Sequence, residues 1–102
     1  MKINVKHIGG DHPNGQLKFQ SQGILCSLLL PQIEYVEINL KENLITIPNL
    51  HKWYDLDNMY DTLKTDEICI NIDGWFHIFY ELIFEYINYD IMRVYCKHRN
   101  EG

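Results

Sequence analysis

The sequence predicts an α+β fold: a single domain holding a mostly antiparallel sheet of five to six strands, with two helices on one of its faces. Three observations carry that expectation. Apolar and polar side chains alternate with period two through the first half of the chain. A longer apolar segment, about 74–89, follows an aspartate suited to capping a helix. The 102 residues, 46% hydrophobic and 23% charged, suffice for one core and are too few for two.

The elements follow in order. Lys2 to Ile8 sets Ile3 and Val5 on one side and Lys2, Asn4 and Lys6 on the other, as a half-buried strand does. Gly9-Gly10-Asp11-His12-Pro13-Asn14-Gly15 is dense in turn formers and reads as a loop. Gln16 to Gln22 alternates around Leu17 and Phe19. Gly23 then bends the chain or starts a new strand, Ile24 to Leu30, which ends at Pro31. Ile33 to Leu40 is a strand, Lys41-Glu42-Asn43 breaks it, and Leu44 to Ile47 returns as a hairpin before Pro48. A short helix is expected at about 56–63, with Asp55 as its cap. Glu67 to Ile72 is a strand through Ile68, Ile70 and Ile72. Asp73 caps the long helix, and Ile91 to Cys96 closes the fold ahead of a polar tail, 97–102. No repeat, low-complexity stretch or long linker divides the chain, so 1–102 reads as one compact domain.

The long helix has more apolar surface than one sheet can cover. Its apolar arc spans over half the circumference, leaving His77, Glu81, Glu85 and Asn88 as a narrow polar stripe. A helix lying on a single sheet needs an apolar stripe of only a little over about 100°. The surplus calls for cover by the shorter helix, by a loop carrying Trp53 and Tyr54, or by a second chain. Tyr80 and Phe84, where the arc continues furthest, are the candidate oligomer contacts.

Composition narrows the function. A net charge of −5 argues against binding to a phosphate backbone, which depends on clustered Lys and Arg. No apolar run exceeds three residues (Leu28-Leu29-Leu30 is one), so no segment is expected to span a bilayer, and the N-terminus lacks a secretory apolar block. Cys26, Cys69 and Cys96, odd in number and without CxxC spacing, read as reduced, buried thiols in a cytoplasmic protein.

Candidate chemistry is sparse. His77, Glu81 and Glu85 share a helix face at i, i+4 and i+8, yet lack the two histidines four apart of the zincin pattern. A solvated His–Glu stripe explains them. The loop with His7, Gly9, Gly10, Asp11 and His12 crowds potential ligands together, but glycines in a turn explain it and no phosphate-cradling motif is present. Cys96, His98 and Asp90 lie close in sequence, whereas nucleophilic Cys–His pairs are made by spatial adjacency. No catalytic residue, metal site or cofactor is assigned.

Charge distribution says more. Nine acidic residues and only Lys64 among basic ones fall between Asp55 and Asp90, a net −8, against +3 for the remainder. Eleven of the thirteen aromatic residues lie between Trp53 and Tyr95, interleaved with those acids. Tyrosine and tryptophan anchor protein interfaces, and surrounding carboxylates steer a basic partner. In size, acidity and absence of a catalytic motif the chain resembles the immunity proteins of bacterial toxin systems and phage-borne inhibitors of nucleases. That likeness rests on no specific motif. It implies a small non-enzymatic protein that neutralises a partner, such as a nuclease or toxin, by occluding a basic site, without direct nucleic-acid or membrane contact. The partner-binding candidates are Trp53, Tyr54, Asp55, Asp57, Tyr60 and Asp61, because a loop offers side chains outward. The alternative is a structural or assembly subunit, a homodimer for instance, joined through the apolar face of the long helix.

Overall fold

Period-two alternation builds most of this molecule, including the segment expected to be its main helix. The structure is a computed structural model that describes residues 1–10, 14–50 and 62–99. Within them, nine strands form two sheets. The strands are β1 (Lys2–His7), β2 (Gly15–Ser21), β3 (Ile24–Leu29), β4 (Tyr35–Asn39), β5 (Leu44–Thr46), β6 (Thr62–Lys64), β7 (Glu67–Ile72), β8 (Tyr80–Tyr86) and β9 (Ile91–His98). One sheet has the order β1-β7-β2-β3, with β1 and β7 parallel and the other pairs antiparallel. The second, β6-β5-β4-β9-β8, is antiparallel throughout. Their inward residues meet in one core: Leu17, Phe19, Ile68 and Ile70 from the first sheet, with Val36, Ile38, Ile45 and Val94 from the second.

The turns explain the registers. Gln22 and Gly23 both have positive φ, 50° and 80°, the pair required by the tight turn that best matches strand twist, and this fixes the β2–β3 hairpin. At the β4–β5 turn the Asn39 side-chain oxygen accepts from the backbone N–H groups of Lys41 and Glu42, and Asn43 takes the left-handed conformation.

The crossover between the sheets is where expectation and structure part. Asp73 does cap: its Oδ1 accepts from the N–H groups of Trp75 at 3.0 Å and Phe76 at 2.9 Å. The helix that follows, α1 (Phe76–Phe79), lasts a single turn. The chain then continues as β8 and returns as β9, so there is no long helix at 74–89, and the α+β class gives way to a mostly β sandwich of two sheets. Two physical causes decide this. In residues 80–87 one face is wholly apolar, Tyr80, Leu82, Phe84 and Tyr86, and the other mixes Glu81 and Glu85 with Ile83 and Ile87, and aromatic and β-branched side chains favour a pleated surface. Asn88 then makes a turn, its Oδ1 accepting from the N–H groups of Asp90 and Ile91.

Of the shorter helix expected at 56–63, residues 56–61 lie outside the described residues, while Thr62 and Leu63 belong to β6. The last strand reaches His98. Phe76 locks the crossover onto the core. It is fully buried against Gly15, where a Cβ would stand 2.4 Å from its ring, so only glycine fits there without a shift.

Candidate functional site: the β8 side of the sandwich

Strand β8 ends the five-stranded sheet, and β1 ends the other sheet on the same side of the molecule. Between them runs a groove of about 460 Å³, whose wall is apolar along Val5 of β1, Ile72 of β7 and Leu82 and Phe84 of β8 and polar at His7, His77, Glu81 and Arg99. Phe84 is 41% exposed. Its row of side chains points toward the core, but little of the opposite sheet covers the end of the strand.

The backbone of β8 is half used. Ile87 N–H donates to the Ile91 carbonyl and Arg99 N–H to that of Phe79, which fixes the phase of the ladder. With uniform register between them, Glu81, Ile83 and Glu85 exchange hydrogen bonds with β9, and the even residues direct N–H and C=O outward. Tyr80 is satisfied, its N–H donating to the Phe76 carbonyl and its carbonyl accepting from Arg99 Nε. For Leu82, Phe84 and Tyr86 no partner for these outward groups exists among the described residues.

Apolar side chains stand out at both ends of the strand. At its start, Trp75, Ile78 and Phe79 are exposed around α1. At its end, Tyr86 is 70% exposed, Ile87 43% and Tyr89 fully exposed. Tyr86 and Tyr89 flank Asn88 around an apolar hollow of about 530 Å³. The tip is held firmly, because besides the Asn88 bonds the Asp90 carbonyl accepts from Leu40 N–H at 2.7 Å. Large aromatic side chains on a fixed hairpin have the properties of interface anchors: extensive apolar surface and little entropy to lose. The β3 strand exposes Ile24, Leu25 and Leu29, but no aromatic residue joins them.

Among the described residues, the acidic side chains of this segment do not gather in one patch. Asp73 is buried as a cap, Glu67 lies on β7 bonded by Asn4, and Asp90 sits at the hairpin tip. Glu81 and Glu85 share the outer face of β8, where Lys97 and Arg93 stand opposite them on β9. Arg99 lies 3.6 Å from Glu81 in an exposed pair, and Arg93 pairs with Glu37 at 3.8 Å and overlies the Tyr35 ring. Among the described residues, Glu85 has no ion pair.

The sequence candidates fall out as follows. Trp53, Tyr54, Asp55, Asp57, Tyr60 and Asp61 lie outside the described residues, as do Asp11 and His12. Tyr80 is half-buried, stacked on Phe76 at 5.3 Å and tilted on His98 at 4.6 Å, whereas Phe84 is open to solvent. His77 leaves the row of Glu81 and Glu85 for α1 and stacks on His7, with ring nitrogens 3.5 Å apart. Among the described residues no three metal-ligating side chains converge. Cys96 lies across from Leu82, where burial pushes its thiol up to about 11, leaving almost no thiolate near neutrality for a Cys96–His98 nucleophile. All three cysteines are free thiols, Cys26 buried as expected and Cys69 and Cys96 half-buried. No helix among the described residues is long and apolar enough to cross a membrane.

No family model matches the chain, and no curated protein or solved structure matches it either. The surface itself must therefore carry the functional reading. The sequence hides the hairpin tip, because Tyr86 and Tyr89 also fit the apolar arc of a helix. The available signal was Asn88-Tyr89-Asp90, a turn former on each side of an aromatic residue.

Proposed function

We propose that this chain is a non-enzymatic protein-binding module, acting in the cytoplasm, that neutralises another protein by covering a basic surface with its β8 side. The observation that carries the reading is the fixed hairpin tip with Tyr86, Ile87 and Tyr89 turned to solvent. Exposed apolar groups grouped on one ordered hairpin are uncommon on a chain that acts alone. The formal charge of −5 favours a basic partner through faster encounter. The free thiols suit a reducing compartment. Occlusion needs no chemistry from this chain.

The test uses the full chain as bait in an extract of its native host, followed by affinity measurement with the purified partner. A Tyr86→Ser, Ile87→Ser, Tyr89→Ser variant is expected to bind the same partner about 100-fold more weakly, as loss of two or more interface anchors does. A Tyr54→Ala, Asp57→Ala, Asp61→Ala variant, measured at low salt, reports on the competing acidic segment. Unchanged affinity of the tip variant contradicts the proposal.

A further inference from the structure

We infer that the free edge of β8 takes up an extended partner segment of alternating apolar and basic residues, which adds a sixth strand to the five-stranded sheet. The inference rests on the protein-binding reading above and specifies the chemistry of the bound segment. Unpaired edge groups beside a groove with an apolar stretch of wall meet the two requirements of strand addition: main-chain bonds supply affinity and alternate side-chain pockets supply selectivity. Leu82, Phe84 and Tyr86 offer the outward N–H and C=O groups, and the groove along Val5, Leu82 and Phe84 receives every second side chain. The remaining side chains of the added strand fall on the outer face, beside Glu81 and Glu85.

Glu81 is already paired with Arg99, so Glu85 does most to select the occupant. Antiparallel pairing of β8 with a second copy over the full strand, Leu82 against Phe84, puts Glu81 opposite Glu85 of the copy and Glu85 opposite its Glu81. Like charges facing each other across a ladder are destabilising. A strand with lysine or arginine at those positions meets the opposite situation, above all at Glu85, which has no ion pair among the described residues. The other border of the groove repels such a strand, since β1 carries Lys2 and Lys6 on its outer side.

The probe is a synthetic peptide of about eight residues alternating lysine and valine, long enough for an ordinary strand. At saturation, the amide protons of Leu82, Phe84 and Tyr86 are expected to exchange about tenfold or more slowly. A glutamate/valine peptide, and a lysine/valine peptide N-methylated along one edge, should give no protection. Glu85 is exposed, so Glu85→Lys keeps the fold and is expected to reverse the preference toward the glutamate/valine peptide. The inference is overturned if the lysine/valine peptide does not bind, if protection falls on β1, β3 or β6, if the chain alone dimerises through β8, or if Glu85→Lys leaves the preference unchanged. Failure here with loss of partner binding in the tip variant sinks only the strand addition. Peptide protection along β8 with unchanged partner binding in the tip variant sinks the partner-binding reading at the tip.

Discussion

Replacing Phe76 with alanine is expected to remove about 3–5 kcal/mol of stability, the range for deleting a fully buried phenylalanine. The ring is completely inaccessible, lies against Gly15 and Tyr80, and holds the crossover between the two sheets. No neighbour can fill the gap cheaply, because Gly15 offers no side chain and Tyr80 is already engaged by His98 and the α1 backbone. A domain of this size has about 5–15 kcal/mol in total, so the variant stands near the threshold of folding. Urea denaturation checks the value. Phe79→Ala, at an exposed position of the same turn, should cost about 1 kcal/mol or less. Equal losses in the two variants would mean that Phe76 does not lock the crossover onto the core.

The second large effect distinguishes strand from helix within residues 80–86. The N–H of Ile83 belongs to the ladder with β9, and that of Phe84 points outward. Ile83→Pro therefore breaks a pairing hydrogen bond beneath the hairpin and is expected to cost about 3 kcal/mol or more. Phe84→Pro removes a donor that has no partner among the described residues, and proline is tolerated on an edge strand in that orientation. Its cost should be about 1 kcal/mol, with β9 still paired. A helix would suffer about equally from either substitution, roughly 3 kcal/mol each.

Much of the sheet was legible in the residues. Ile3 and Val5, Leu17 and Phe19, Val36 and Ile38, and Ile68, Ile70 and Ile72 each mark a strand by period two, and the observed strands lie at those places. The error arose where two periods coincide. Positions four apart share a face in a helix and also in a strand, so the spacing of Glu81 and Glu85 fits both. The excess of apolar surface on the supposed helix was the discriminating signal. A segment apolar over more than half its circumference is better accommodated as a strand with apolar groups on both faces, and Tyr80 to Ile87 is that. Strand β6, only three residues long, carries too short a pattern to announce itself. The candidate surface is only partly visible in the sequence, since composition shows the weight of aromatic residues toward the C-terminal half but not their positions on a hairpin. Exposure depends on which sheet stops short of which, a property of strand order that no local pattern encodes.

Amide hydrogen exchange along β8 in the free chain tests the account most directly. The amides of Glu81, Ile83 and Glu85 are expected to be protected, with those of Leu82, Phe84 and Tyr86 exchanging about 100-fold faster or more. Protection running through consecutive residues would contradict both the strand and its open edge.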